Sequence, residues 1–272
     1  VAVLVTSELS LPDISGPNRA PARSVALAQI PTTAGTGSEV GTRALVTDPA
    51  TMNKIATESV EMLADIAIID PGLTVSVPPL VTAATGVDAM AHCVEAFTNR
   101  RAHPVIDGFA RMGIDLVGRY LARAVRDGQD TEAREGMMLA SFYGGICLGP
   151  VNTAAGHALS YPLGTLLHLP HGLANAIIFP HVLAFNESAA PAKTAEVARA
   201  LDLSPGDAGG LLDAACGFCR DLGVEMRLSA HGATADQLEG FARDAHGIRR
   251  LMDNNPRDMS VDDVLEIYRA AF

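Results

Sequence analysis

An α/β segment followed by an all-helical domain is the fold the sequence predicts, on three observations. Short apolar runs bounded by turn residues fill the first 78 residues, as strands do. The Pro78-Pro79 pair then marks a change of pattern. Beyond it come long segments with apolar residues at helical spacing, separated by polar residues and prolines. Residues 1–78 are therefore expected to form the α/β part, and 79–272 the helical part.

The elements follow in order. The opening VAVLVTSELS is the end of a helix or strand that runs into a loop at 12–18. Residues 25–30 read as a short apolar strand, and PTTAGTGSEV (31–40) follows it as a Thr/Gly-rich turn. Residues 45–47 and 66–69 are further strands, the second closed by Asp70-Pro71-Gly72. Helical periodicity covers about 80–99, 104–127, 131–148, 151–161, 172–186, 191–201, 206–223, 233–246 and 261–271. Asn18, Asn152, Ser204 and Ser260 supply polar punctuation before such runs, and Pro205 suits a first helical turn.

With 272 residues, 48% of them apolar, the chain can bury a large core as one domain or two. No long apolar run lacks a charge, so no membrane span is expected, and no basic segment precedes an apolar one as in a secretory signal. A net charge of -11 argues against nucleic acid or an anionic membrane as the main partner. Cys93 and Cys147 fall in apolar helical stretches and are expected as buried thiols. Cys216 and Cys219 form a lone CxxC one helical turn apart, more in keeping with packed thiols than with a redox pair. A reducing, cytoplasmic setting suits all four.

The chemistry concentrates in four residues. Asp88 and His92 lie in GVDAMAHCVEA (86–96), four apart, so both project from one face of a helix. His157 and His171 lie in GHALSYPLGTLLHLPHGLANA (156–176), on either side of the helix breaker Pro162. A turn at that proline would return the second imidazole to the first. One carboxylate and three neutral imidazoles suit a divalent cation such as Fe²⁺ or Zn²⁺. Each residue also has a plain structural reading, as a helix-face pair, a core histidine or loop chemistry.

PTTAGTGSEV, ATGVDAMAHCVEAF (84–97), GHALSYPLG (156–164), PHGLANAIIFPHV (170–182) and NNPR (254–257), in that order and spacing, resemble the iron-containing (group III) alcohol dehydrogenase family. The resemblance runs from near residue 1 to the C-terminus. It implies the dehydroquinate synthase-like architecture, in which 1–78 are the C-terminal part of a dinucleotide-binding α/β domain and 79–272 a helical, metal-binding catalytic domain. It maps Asp88, His92, His157 and His171 onto the family's metal ligands. It also places Thr32, Thr33, Thr36 and Lys54 beside the dinucleotide. The function implied is hydride transfer between NAD or NADP and a small alcohol or aldehyde, with Fe²⁺ or alternatively Zn²⁺ polarising the substrate oxygen, in a homo-oligomer.

The chain departs from the family pattern at several points. The Gly-Gly-Gly-Ser pyrophosphate loop expected in the family's first hundred or so residues does not occur, so the sequence is expected to be a fragment or a natural truncation, complete at its C-terminus. Gly41 stands where many relatives have threonine. Tyr161 stands where they often have a further histidine near substrate; tyrosine can donate a hydrogen bond but does not titrate near neutral pH. Tyr161 and His168 are the candidate catalytic side chains, His168 as a lining residue of the pocket. His103, His181, His231 and His246 are expected to be surface or structural, and Glu95 a helix-face carboxylate. Two alternatives stand beside the dehydrogenase. One is a metal-binding helical domain without turnover, the other a dehydroquinate synthase-like lyase.

Overall fold

Prolines and side-chain caps set where the helices begin, and those helices carry the molecule. A computed structural model describes residues 1–47, 54–203 and 210–272. Helix α1 (Pro79–Thr98), α2 (Pro104–Arg126) and α6 (Pro191–Ala200) each start on a proline, whose missing N–H is one of the unpaired donors of a first turn. Asp130 caps α3 (Thr131–Leu148) by accepting from the Ala133 amide, and Ser260 with Asp263 forms a capping box on α10 (Val261–Ala270). These bounds follow the periodicity within a residue or two.

Helix α1 is the hub. It is buried along nearly its whole length and packs against α2, α3 and α5 (His171–Asn186). Helix α4 (Ala155–Leu166) lies on α5 and on α8 (Leu238–His246), while α7 (Leu211–Asp221) closes the far side of α5. A four-residue turn of helix, α9 (Arg249–Met252), has no counterpart in the periodicity and abuts α4. The helix start predicted at Ser204 and Pro205 lies outside the described residues.

The α/β part is sparser than the apolar runs suggest. Strand β1 (Gly16–Pro17) pairs in parallel with β4 (Lys54–Glu58), which pairs antiparallel with β3 (Arg43–Thr47) in the order β1-β4-β3. A separate parallel pair joins β2 (Ala28–Gln29) to β5 (Ile66–Ala67). The strands predicted over 25–30 and 66–69 shrink to these two residues each. Asp65 braces this pair: it accepts from the Leu27 amide and binds the Arg23 guanidinium. Most exposed large apolar side chains of the described residues lie before residue 82, among them Ile30, Leu45, Val46 and Ile66.

One boundary differs from expectation in a way that matters for the site. The helix predicted over 151–161 begins at Ala155 and runs through Pro162 to Leu166. Asn152 adopts the left-handed conformation (φ +75°), which asparagine tolerates, so the chain turns there instead of starting a helix. Pro162 sits buried within α4, and the reversal comes later, at 167–170, where His168 is left-handed (φ +56°).

Candidate metal centre

Asp88 and His92 stand one helical turn apart on α1, His157 on α4 and His171 at the first position of α5. Gly172 lets the last of these come close: a Cβ there would lie 2.6 Å from the Ala84 carbonyl, so only glycine allows the start of α5 against α1. Asp88, His92 and His157 are each at most 3% exposed. The His171 side chain is 45% exposed and stands at the mouth.

The three imidazoles converge on one carboxylate. His92 Nε2 lies 3.6 Å from Asp88 Oδ2, and His157 Nε2 and His171 Nε2 lie 3.5 and 3.6 Å from Oδ1. Two ligands about 2.1 Å from a shared cation, at a tetrahedral angle, stand about 3.4 Å apart. Both ring nitrogens of His92 and Nε2 of His157 are buried without a hydrogen-bond partner, an arrangement that costs about 1–3 kcal/mol per group; a cation would take up one lone pair from each ring. The donor atoms of Asp88, His92 and His157 lie within 4.8 Å of one another; His171 joins through Asp88 rather than through that tighter triad. Spacing, orphaned nitrogens and donor types all fit a divalent cation.

Glu95 is not the helix-face carboxylate the sequence suggested. It is 6% exposed and faces inward. The backbone amides of Ala154 and His157 donate to it at 2.9 and 3.1 Å, and His157 Nδ1 donates at 2.7 Å. An ionised carboxylate only accepts, so this contact puts the His157 proton on Nδ1 and turns Nε2 toward Asp88. Gly156 makes the approach feasible, since a Cβ there would lie 2.3 Å from Glu95 Oε1. Asp88, His92 and Glu95 fall at i, i+4 and i+7, one stripe of one helix, and that spacing was the available signal.

Asn175, also missed, donates from its amide to Asp88 Oδ1 at 2.5 Å and lies 3.3 Å from His171 Nε2. The field of these groups sets their protonation. Burial alone would lower the His157 basicity, but the Glu95 and Asp88 carboxylates outweigh it and push it up to about 10. Burial dominates at His171, which falls to about 4. Burial would raise Asp88, but the surrounding imidazoles hold it well below the usual carboxylate range.

A cleft of about 1330 Å³ opens above the centre, lined by Thr36, His92, His157, Tyr161, His171 and Arg250 among others. That exceeds the roughly 300–1000 Å³ of a typical small-ligand pocket, leaving room for an organic cofactor and a small substrate together. Thr36 reaches the centre, its hydroxyl donating to Asp88 Oδ2 at 3.4 Å. The preceding Thr32 and Thr33 are exposed and do not border the cleft. Gly37 fixes this loop: its φ of +66° and its packing against the Ser141 carbonyl on α3 leave no space for a side chain. The Lys54 side chain lies outside the described residues. Tyr161 borders the cleft, its ring 6.0 Å from that of His171. His168 does not, because its left-handed backbone leaves it exposed on the α4–α5 turn.

The remaining histidines are structural. His103 caps α2, His181 is buried in α5, and His231 and His246 bond locally. All four cysteines are free and buried, and burial pushes the Cys147 thiol up to about 12. No helix of the described residues is long and apolar enough to cross a membrane.

Comparison with known proteins agrees with this architecture. The profile of the Fe-containing alcohol dehydrogenase family, C-terminal, matches residues 82–272, and that of iron-containing alcohol dehydrogenase matches residues 1–71. The chain is 38% identical to long-chain-alcohol dehydrogenase 1 of Geobacillus thermodenitrificans over 252 residues, 89% of this chain and 62% of that protein. It thus spans about three fifths of the length of such curated relatives. The crystal structure of a 1,3-propanediol oxidoreductase superposes with a TM-score of 0.91 at 32% identity, covering 100% of this chain and 72% of the other. A sulfoacetaldehyde reductase from Bifidobacterium kashiwanohense, solved in complex with NAD⁺, superposes at 0.87 with 30% identity, covering 97% and 70%.

Proposed function

The chain belongs to the iron-containing alcohol dehydrogenase family, and on that footing we propose that it serves NAD(P)-dependent interconversion of a small alcohol and its aldehyde or ketone. Asp88, His92, His157 and His171 would hold Fe²⁺ or Zn²⁺. The observation that carries this reading is the set of three imidazole Nε2 atoms, each 3.5–3.6 Å from one buried carboxylate. When bound, the cation polarises an alcohol or carbonyl oxygen, and the nicotinamide exchanges hydride with the adjoining carbon.

The chain's own residues do the rest. Glu95 holds a His157 proton on Nδ1, so that a cation would take Nε2 in place of the proton there. The Asn175 amide fixes the Asp88 carboxylate in its rotamer. Thr36, at the tip of the loop pinned by Gly37, closes one side of the centre and borders the space proposed for the dinucleotide, while Thr32 and Thr33 on the same loop and Lys54 at the start of β4 remain candidate contacts by resemblance alone. Tyr161 accepts from Arg250 Nη2 at 3.4 Å, so its own O–H proton is free to donate to a ligand oxygen in the cleft. The packing of α1, α4 and α5 keeps water from Asp88, His92 and His157.

Two measurements test the reading. Elemental analysis after loading with Fe²⁺ or Zn²⁺ should give one metal per chain, lost in Asp88→Ala. NADH and NADPH oxidation with a panel of aldehydes should then depend on that metal. A chain that retains no divalent metal against a weak chelator would overturn the assignment.

A further inference from the structure

The NNPR segment is absorbed by no step above, yet it anchors the backbone of Arg250, which lines the cleft. Asn254 donates from its side-chain amide to the Thr153 carbonyl at 2.9 Å and to the Arg250 carbonyl at 3.1 Å. It thereby ties α9 to the turn that leads into α4 and His157. Asn255, fully buried, exchanges two amide hydrogen bonds with Asn186 on α5. Leu251 and Met252 are buried as well. The backbone of Arg250 is therefore anchored on two of the helices that carry the centre, although its side chain is exposed to the cleft.

The two adjacent arginines are used differently. Arg249 is committed to Asp253, its nearest carboxylate, and to His246. Arg250 makes no ion pair among the described residues. Its guanidinium lies over the Tyr161 ring, 5.7 Å from the centroid, with Nη2 3.4 Å from the Tyr161 hydroxyl. Tyr161 in turn lies 6.0 Å from the His171 ring, so the guanidinium is within about 12 Å of that ring. The cleft's other arginine, Arg43, is neutralised by Glu58. Asp244 also borders the cleft but has no cation within 4.0 Å among the described residues.

The geometry points to Arg250 as a specificity residue that selects alcohols and aldehydes carrying an oxyanion on the carbon remote from the reacting one. This rests on the function proposed above, which supplies the other end of the ligand. A guanidinium offers a planar fork of donors matched to a carboxylate or sulfonate. Held against an aromatic face and a rigid backbone, it loses little freedom on binding. A chain of a few carbons spans from the histidine cluster to this fork, with the Tyr161 ring flanking the methylenes. An uncharged alkanol of equal length would leave the guanidinium without a counter-charge.

The test is calorimetric and needs no turnover. 4-Hydroxybutanoate, 6-hydroxyhexanoate and 3-hydroxypropane-1-sulfonate are titrated into the zinc-loaded chain, against 1-butanol, 1-hexanol and 4-aminobutan-1-ol. At least one hydroxy acid or the sulfonate should bind about tenfold more tightly than the alkanols, the gain of one charge-assisted pair. Whichever anion prevails decides between carboxylate and sulfonate. Arg250→Gln should abolish the preference, Arg250→Lys should keep part of it, and Arg249→Gln should leave it intact. The proposal is overturned if neither anion outperforms the alkanols, if the aminoalcohol binds best through Asp244, or if the preference survives Arg250→Gln. Zinc content, measured on the same samples, tests the metal assignment separately. Arg250-dependent anion binding in a chain that takes up no zinc would remove that assignment and keep the anion subsite.

Discussion

Replacing Gly156 with alanine should do the opposite of what helix propensity dictates. In an open helix interior, such as Gly217 in α7 where no atom lies within 4 Å of the place a methyl would take, glycine to alanine gains up to about 1 kcal/mol. At Gly156 the new methyl would lie 2.3 Å from Glu95 Oε1 and 3.3 Å from its Cδ. A carboxylate tip usually swings aside at little cost. This one is buried and accepts three hydrogen bonds, from the Ala154 and His157 amides and from His157 Nδ1. Displacing it forfeits charge-assisted bonds of about 1.5–3 kcal/mol each, and leaves buried donors unpaired. Set against the propensity gain, even the low end for the three bonds leaves a net loss of at least about 3 kcal/mol, or a drop in Tm of at least roughly 6–12 °C for a chain of this size. The same displacement frees the His157 ring, so metal affinity should fall about 10–100-fold. Chemical denaturation and chelator competition on Gly156→Ala, with Gly217→Ala as the control, measure both effects. Equal or greater stability with unchanged metal affinity would show that Glu95 does not hold His157 as argued.

Three further outcomes are expected. His171→Ala should lose most of its bound metal yet fold normally, because that side chain is 45% exposed at the mouth and Asn175 keeps its bond to Asp88 without it; undiminished metal content by elemental analysis would remove His171 from the ligand set. Gly145→Ala on α3 would set a methyl 2.0 Å from the Gly37 carbonyl, where neither backbone can yield, so the Thr36 loop should move off the centre with a loss of about 1–3 kcal/mol, measurable by urea unfolding. Asp65, held down to about 2 chiefly by the hydrogen bond from Arg23, stabilises the fold above the ordinary carboxylate pKa and loses that contribution as pH falls from about 4 through 2. Unfolding midpoints of the wild type and Asp65→Asn should therefore converge on acidification through that window, and a constant gap would argue against the pairing.

The helices were legible because their signals are local. Pro79, Pro104 and Pro191 at first turns, and the Ser260–Asp263 box, act within four residues of the ends they set. The strands were only partly so: β2, β3 and β5 fall where apolar runs predict them but with other bounds, and β1 and β4 were missed. Two-residue parallel pairs such as β2–β5 are held by partners some 38 positions away, notably Leu27 on Asp65. The start of α4 was misread for a related reason: Asn152 turns left-handed while its side chain binds Arg43, a contact across more than a hundred residues. His168 failed as a lining residue because a single left-handed φ decides which way a turn residue faces, and sequence spacing carries no such sign.

The site divides along the same line. Residue type and spacing suggested the four candidate ligands, since a cation's demands are few and chemical, but left plain structural readings open; the family resemblance mapped each of them. What orients them could not be read that way, because Glu95 and Asn175 act through hydrogen bonds that exist only once α1, α4 and α5 are packed. Yet the stripe Asp88, His92, Glu95 at i, i+4, i+7 commits α1 to present all three inward together, and Gly156 beside His157 clears the space that Glu95 needs. The orienting carboxylate and the glycine that admits it are thus coupled requirements. A Glu95→Ala change should make Gly156→Ala tolerable, whereas independent roles would make the two losses add. A double-mutant cycle on unfolding free energy distinguishes the two, and additivity within a few tenths of a kcal/mol would break the coupling.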